Sequence, residues 1–244
     1  MFVFVEFSGF AQGEIDTEGG ILFRNERTIA FDINSNGWGV DVRGGKWLNA
    51  FKKRIISGSI VILKDPKEYK ENARSPHYPK FVFGKENSFF AIRGGYGIQK
   101  ELFSKFDKGG IAVNYFYQAG PSIGFLKPIY YKKIVTYNPG DYSFSWVSQK
   151  FNKDNIHSPL DILSKDSFMK GVNEIAIRMG LYFEIGASFE FSSEDQKLNA
   201  LEAGISVDIF HKSVRIMAIE NPSWYFISLF ASYRFGKIID ARFK

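Results

Sequence analysis

The amino-acid sequence predicts an all-β fold: a closed, antiparallel, up-and-down β-barrel of eight strands that crosses an outer membrane and carries two long extracellular loops. The first supporting observation is the segment 173–192, in which odd-numbered residues are apolar and even-numbered residues are charged, polar, small or amphipathic. Side chains of a strand point alternately to its two faces, so this segment is predicted to be one long amphipathic strand.

The polar face of this strand indicates which side meets lipid. Gly180 and Gly186 lie on it beside Arg178 and Glu184. Glycine weakens a strand unless another group crowds close to the backbone. We therefore expect the polar face to line a narrow interior and the apolar face to point into lipid, as in a transmembrane β-barrel.

Seven further segments alternate in the same way or are bounded by turn signals. Asn34-Ser35-Asn36-Gly37 is a hairpin signal between the first two strands. The run 60–63 is continuously apolar, so its facing is left open, and Pro121 interrupts the fifth strand at a predicted bulge. The predicted strands are 20–34, 38–43, 54–64, 88–100, 109–131, 173–192, 201–209 and 225–235.

The lengths of the connections support the same topology. Outer-membrane barrels have an even number of strands, short periplasmic turns and longer extracellular loops. The long segments 65–87 and 132–170 are the third and fifth connections, whereas the short segments 48–52, 101–108 and 193–197 are the second, fourth and sixth. Both long loops therefore fall on one side of the membrane, and we expect them to be irregular, apart from a short helix near 158–164.

Composition narrows the class of protein. Aromatic residues make up 17% of the 244 residues, with 26 Phe, which suits an apolar exterior with aromatic girdles. The absence of Cys excludes disulfides, thiolate metal sites and a Cys nucleophile. No run of 18 apolar residues occurs, so the membrane prediction rests on strands. The net charge of +6 fits a solvated surface or contact with anionic lipid head groups.

The first residues predict a targeting segment. Residues 1–12 are mostly apolar and include the small-residue group Gly9-Phe10-Ala11, so we interpret them as a signal-peptide remnant, although a basic n-region is missing. An ordinary first strand is the alternative. The remaining residues, 13–244, are predicted to form one outer-membrane β-barrel domain.

Nine ionisable residues point inward in this interpretation. An eight-stranded barrel is just wide enough inside for side chains to fill it, and buried charges must pair. We therefore predict a plug of salt bridges that closes the lumen, with a narrow ion path or a proton site as the alternative. The predicted lumen charge network is Asp32, Asp41, Arg43, Arg93, Arg178, Glu184, Glu202, Asp208 and Arg234. The predicted interfacial aromatic residues are Trp38 and Trp224 at the outer rim and Trp47 at the inner rim.

The sequence gives little sign of catalysis. His77 and His157 lie in the long loops, and His157 has Ser158 and Asp161 nearby, but neighbours in one loop rarely form a Ser/His/Asp set. Catalytic residues, cofactors and metal sites are predicted to be absent. Basic residues are mixed with acids rather than clustered in a stripe, so a nucleic-acid partner is not expected.

Several groups of residues, spread over most of the chain, form a further pattern. They are Gly19-Gly20-Ile21 with Phe23-Arg24-Asn25-Glu26, Ser35-Asn36-Gly37-Trp38-Gly39, Asp65-Pro66-Lys67-Glu68, Arg93-Gly94-Gly95, and Gly120-Pro121-Ser122-Ile123-Gly124-Phe125-Leu126-Lys127-Pro128. This pattern resembles an uncharacterised family of outer-membrane β-barrel proteins of the Bacteroidota. The resemblance implies a fold and an outer-membrane location in a Gram-negative envelope, and no enzymatic residues. Phe243 followed by Lys244 departs from the terminal aromatic residue of many such barrels.

The functional expectation follows from a filled lumen and long loops. We expect a structural or accessory barrel in the bacterial outer membrane that contacts lipid and lipopolysaccharide and presents loops 65–87 and 132–170 to partners, including an envelope assembly or secretion complex. Two alternatives stay open. One is an outer-membrane enzyme that modifies lipid A or cleaves peptides, and the other is a soluble, lipocalin-like ligand-binding barrel.

Overall fold

The computed structural model describes residues 24–72, 78–105, 110–138, 140, 143–151, 156–192, 196–218 and 221–240. The predicted signal-peptide remnant at 1–12 lies outside these residues. The strands are β1 (Arg24–Asn34), β2 (Gly37–Asn49), β3 (Lys52–Leu63), β4 (Lys70–Glu71), β5 (Phe81–Val82), β6 (Asn87–Phe103), β7 (Ala112–Pro128), β8 (Tyr130–Asn138), β9 (Ser143–Lys150), β10 (Ile162–Lys165), β11 (Ala176–Glu190), β12 (Lys197–Val214) and β13 (Ser223–Asp240).

Eight of these strands close into one barrel, which confirms the predicted fold. Around the barrel the order is β1, β2, β3, β6, β7, β11, β12 and β13, and every neighbouring pair is antiparallel. The ring closes where β1 pairs with β13, with Ile29 opposite Phe235. Strands adjacent in the ring therefore follow each other in the chain, which is the up-and-down topology.

The two long loops contain more regular structure than the sequence predicts. In the first loop β4 pairs with β5, and in the second β8, β9 and β10 form a three-stranded sheet in the order β10-β8-β9. The region of the predicted helix, 158–164, holds a 3-10 turn, Pro159–Asp161, followed by the first residues of β10. These strands are short or mix polar and apolar residues on both faces, so the apolar alternation that reveals the barrel strands is weak in them.

The barrel has an apolar outside and a polar inside. On β11 the outward side chains of Ile177, Leu181 and Phe183 are 54%, 66% and 45% exposed. On the inner face of the barrel wall, the polar side chains are shielded from solvent: Asp208 is fully buried and Arg43 nearly so. This arrangement is the reverse of a soluble barrel, in which the apolar side chains fill the centre.

β1 begins at one end of the barrel, and a cap covers the other end. The cap comprises the described residues of 64–86, 129–175 and 215–222. An apolar cluster inside this end of the barrel joins the wall to the cap: Val61, Leu63, Phe89, Ala91, Leu126, Phe210, Val214, Ile216 and Met217. A second cluster lies within the cap itself: Phe81, Ile129, Tyr131, Phe151, Ile156, Ile162 and Ala218. No helix among the described residues is long and apolar enough to cross a membrane.

Candidate functional site: the sealed lumen and the cap

The centre of the lumen is a network of ion pairs between strands that are far apart in sequence. Arg43 on β2 donates from Nη1 to Oε1 of Glu202 on β12 over 2.9 Å. Arg234 on β13 donates from Nη2 to Oδ1 of Asp41 over 2.5 Å, and its Nε lies 3.0 Å from Glu202 Oε1. Glu184 on β11 lies 3.8 Å from Arg43 Nη2. Five of the nine predicted lumen residues therefore form one connected network.

A second buried ion pair lies between this network and the apolar cluster. Arg93 on β6 donates from Nε to Asp208 Oδ1 on β12 over 2.9 Å and from Nη2 to Oδ2. Ser122 on β7 donates to the same carboxylate over 3.4 Å. The guanidinium of Arg93 also lies over the ring of Tyr182, 5.5 Å from its centre. A bidentate pair of this kind fixes the positions of β6 and β12 across the lumen.

The two remaining residues of the predicted network behave differently. Asp32 on β1 is half-buried and lines a small void together with Asp41 and Arg234, so it belongs to the lumen. Arg178 does not join the ion pairs. Its guanidinium donates to the carbonyl oxygens of Ser213 and Ile177 near the cap end of β11. The inclusion of Arg178 was wrong because alternation assigns a side chain to a face but not to a depth along the barrel.

The inner mouth of the lumen is closed by a group that the sequence reasoning missed. Lys53 on β3 donates to Glu26 Oε2 on β1 over 2.5 Å, and Trp47 donates from Nε1 to Oε1 of the same carboxylate over 3.2 Å. Lys53 also lies 4.9 Å from the centre of the Trp47 ring. The assignment of Trp47 to a lipid-facing belt is therefore corrected: it lies at the inner rim as predicted, but it turns inward. The sequence could have shown this, because Trp47 is an odd-numbered residue of β2, like Asp41 and Arg43, and alternate residues of a strand share a face.

The side chains leave almost no free space in the lumen. Two internal voids, one lined by Glu26, Arg43 and Lys53 and the other by Asp32, Asp41 and Arg93, have volumes of about 10 Å³ each. A void of this size is about that of one water molecule. Neither void is large enough for the ligand of a lipocalin-like barrel, and the charged side chains around them pair across the lumen.

The loop residues considered for catalysis form a structural turn instead. Ser158 accepts a hydrogen bond from the Leu160 backbone N–H, and Asp161 accepts from the backbone N–H groups of His157 and Ser158. This reciprocal arrangement is a capping box, which satisfies backbone donors at the start of the 3-10 turn. The carboxylate of Asp161 is therefore engaged with backbone groups, and His157 is exposed. His77 lies outside the described residues.

The cap is fastened to the barrel by backbone and side-chain hydrogen bonds. The carbonyl oxygen of Ile216 accepts from the backbone N–H groups of Glu86 and Asn87 over 2.9 and 3.2 Å. The hydroxyl of Tyr131 lies 2.8 Å from the carbonyl oxygens of both Val82 and Lys85 and donates to them. Burial raises the pKa of the Tyr131 hydroxyl above its ordinary value, so it stays a donor. The cap is therefore a packed unit rather than a set of independent loops.

A carboxylate holds the outer sheet of the cap to the segment that leads into β11. Asp166 accepts from Lys170 Nζ over 2.6 Å and from the Ser148 hydroxyl on β9 over 2.5 Å. Burial acts to raise the pKa of Asp166, but the hydrogen bonds from Lys170, Ser148 and the Ser167 backbone outweigh it and lower the pKa to about 2. Asp166 is therefore ionised at neutral pH and links β9 to this segment.

One side of the cap offers a surface to the surroundings. Trp146 and Val147 on β9 are 43% and 55% exposed, and Val135 on β8 is 62% exposed. The ammonium group of Lys132 lies 4.4 Å from the centre of the Trp146 ring. β9 is also an edge strand: it pairs with β8 on one side, and no described strand pairs with its other side. Exposed apolar groups beside an open strand edge are typical of a contact surface.

Fold and interior together define the class: a closed eight-stranded antiparallel β-barrel with an ion-paired, filled lumen and a folded cap at one end. No protein-family model and no curated protein sequence matches the chain. Among solved structures it is similar to Ail, the attachment invasion locus protein of Yersinia pestis, at 9% identity, with 88% of this chain and 98% of that chain covered and a TM-score of 0.43.

Two other solved structures are similar at the same level. Neisserial surface protein A is 12% identical, with 86% of this chain and 94% of that one covered and a TM-score of 0.36. The N-terminal β-barrel domain of Pseudomonas aeruginosa OprF is 9% identical, with 89% and 98% covered and a TM-score of 0.37. Scores this low carry no functional argument, so the function is argued below from this chain's own residues.

Proposed function

We propose that this protein is a small integral outer-membrane β-barrel with a structural or accessory role, and that it presents its cap to a protein partner in the cell envelope. The observation that carries the proposal is the reversed polarity of the barrel. Ile177, Leu181 and Phe183 face outward, while Arg93 and Asp208 pair in the centre. A water-soluble protein gains stability by burying such apolar faces, so an exterior of this kind needs acyl chains around it.

The dimensions of the apolar surface fit a bilayer. Outward apolar side chains follow β11 from Ile177 to Phe189. With a rise of about 3.3 Å per residue and a tilt of about 40°, this stretch spans roughly 30 Å along the barrel axis. At the cap end, Trp38 and Tyr225 lie on the outward face and are half exposed, and the adjacent Trp224 at the start of β13 is 55% exposed. Amphipathic rings at this level are typical of the boundary between lipid and water.

Membrane placement has a direct test. The full chain, refolded into phosphatidylcholine vesicles, should resist trypsin throughout the barrel strands and should migrate differently on gels before and after boiling. The substitution Leu181→Arg, on the lipid face, should reduce insertion because a charge near the bilayer centre costs about 2–4 kcal/mol. Ser206→Ala, on the lumen face, is the matched control. A chain that stays soluble and folded without detergent or vesicles would overturn the proposal.

The filled lumen leaves the cap as the working surface. Because the described lumen is sealed, transport through it is not supported, whereas the edge strand β9 displays Trp146 and Val147 beside open backbone groups. An extended segment of a partner protein can add to such an edge and gain backbone hydrogen bonds. Lipopolysaccharide, attracted by Lys132 and Lys133, is the competing occupant that the experiment must separate.

The partner experiment compares two sets of cap variants. Tagged wild-type protein, extracted from native membranes in mild detergent, should bring down a defined protein in constant ratio. Trp146→Ala with Val147→Ser should abolish the capture, whereas Leu160→Ser, which removes an exposed apolar side chain of the cap away from β9, should not. Recovery of a lone monomer, or of lipopolysaccharide alone, from wild-type membranes would refute the protein-partner version and leave the membrane placement untouched.

A further inference from the structure

The outward face of the barrel carries an arc of basic side chains at the end away from the cap. Six residues belong to this basic arc, and they are distributed over five strands that are contiguous in the ring, β13, β1, β2, β3 and β6. The basic arc is Lys237, Arg27, Lys46, Lys52, Arg54 and Lys100.

All members of the basic arc lie at the same end of the barrel. Arg27 is the fourth residue of β1, and Lys46, Lys100 and Lys237 are each fourth from the last residue of their strands. Strand pairing brings them side by side, since Arg27 is the register partner of Lys237, Lys46 that of Arg54, and Lys52 that of Lys100. Like charges placed this closely repel each other, so their position calls for an external anion.

Acidic residues at this end face the other way. Glu26 points into the lumen and pairs with Lys53, and Glu190 pairs with Lys105. Within the described part of the chain, the outward positions at these strand ends contain no acidic residue. Among the described residues, the arc therefore consists of cations without an acidic neighbour on the same face of the barrel.

The arc does not run around the whole barrel. On β7 and β11, the outward positions at this end hold aromatic residues, Tyr115 and Tyr117 on β7 and Phe189 on β11. The cations thus cover one side of the rim, directly below the apolar band. A Lys or Arg at this level can lay its methylene stem along the hydrocarbon edge and extend its charge to the head groups.

We propose that the basic arc binds the phosphate groups of anionic phospholipids in the leaflet that surrounds the inner end of the barrel. The proposal rests on the membrane placement given above and adds a lipid class to it. The position argues for a lipid rather than a soluble anion, because outward apolar side chains lie next to cations of the arc: Phe235 is two residues before Lys237, Ile29 two after Arg27, and Ile56 two after Arg54. Anionic head groups also attract basic residues that lie at a membrane surface.

The test measures which lipids stay on the barrel. Wild-type protein is inserted into vesicles of phosphatidylcholine mixed with phosphatidylglycerol, extracted in mild detergent, and examined by native mass spectrometry for bound lipid. The arc variant combines Lys46→Gln, Arg54→Gln and Lys237→Gln. The matched control combines Lys64→Gln, Lys70→Gln and Lys80→Gln, three exposed lysines of the cap, and removes the same total charge.

Wild type and control should retain phosphatidylglycerol over phosphatidylcholine, and the arc variant should lose this preference, by roughly fivefold for each charge removed. High salt should reduce the preference of the wild type in the same direction, which tests the idea without any substitution. Equal retention by wild type and arc variant, or no preference in the wild type, would overturn the inference. Failure of the wild type to insert into either kind of vesicle would instead refute the membrane placement.

Discussion

The buried pair of Arg93 and Asp208 allows a quantitative test of the sealed lumen. The Asp208 side chain is fully buried, and the Arg93 side chain is 4% exposed. Replacing Arg93 with Met removes both charge-assisted hydrogen bonds and leaves the carboxylate only the hydroxyl of Ser122, at 3.4 Å. Removing one partner of a buried pair typically costs about 3–5 kcal/mol, because the other charge stays desolvated. Asp208→Asn should cost a similar amount, since it leaves the guanidinium uncompensated.

The double variant carries the sharper prediction. With Arg93→Met and Asp208→Asn combined, no unpaired charge remains at this site, so the loss should fall short of the sum of the two single losses by about 2 kcal/mol. The measurement is urea unfolding of the refolded barrel in phospholipid vesicles, followed by tryptophan fluorescence. Arg178→Met is the matched control. This arginine shares the inward parity but bonds to backbone carbonyl oxygens, so its loss should cost less than about 1 kcal/mol. Additive losses would refute the ion-paired interior.

Three further outcomes follow from the same structure. Gly95→Val should destabilise the barrel by about 1–3 kcal/mol, because an added Cβ would meet the Tyr182 hydroxyl at 2.0 Å, whereas Gly58→Val on the outside should be tolerated because nothing lies within 4 Å; urea midpoints decide this, and equal effects would contradict it. Asp166, whose pKa is lowered from 3.8 to about 2, should stabilise the cap above pH 4 and lose that contribution as the pH falls toward 2; hydrogen exchange of β9 measures it, and Asp166→Asn should show no such dependence. In planar bilayers the wild type should give no stepwise conductance, since the lumen voids measure about 10 Å³; steady single-channel steps would contradict the plug.

The barrel was predictable because the barrel strands show an alternation of apolar and polar residues. Alternation over 173–192 identified β11 and its outward face, and the same pattern gave the other strands, with ends that differ by a few residues from the structure. The closing pair of β1 with β13 required no separate signal, since an even number of amphipathic strands leaves two edges that must meet. The central ion pairs were predictable as a set, because inward charges in a narrow lumen have only one another as partners.

The partners and the depth of each residue were not predictable in the same way. The sequence reasoning gave Arg178, Asp208 and Glu202 the same role, yet only the latter two sit at the level of an opposite charge. The depth of a residue along the barrel axis depends on the register of its strand against the neighbouring strands. The alternation of apolar and polar residues carries no information about that register. The cap was missed for another reason. Its strands bury one side against a small cluster of aromatic and aliphatic residues, which builds up from three separate loops.

The run 60–63 shows how packing of the cap determines which residue types line the lumen at that end of the barrel. Its continuous apolar character hid the facing of β3 in the sequence. In the structure Ile60 points outward and is 56% exposed, whereas Val61 and Leu63 point inward and are each 1% exposed. Both faces are apolar because each meets an apolar surrounding: lipid on the outside and the cluster with Met217 on the inside. The buried lumen charges of Arg43, Arg93 and Arg234 each lie within reach of an opposite charge, and the lumen positions become apolar where the cap packs into the barrel. A strand that loses its alternation near one end therefore marks the level at which the lumen is sealed by packing rather than by ion pairs.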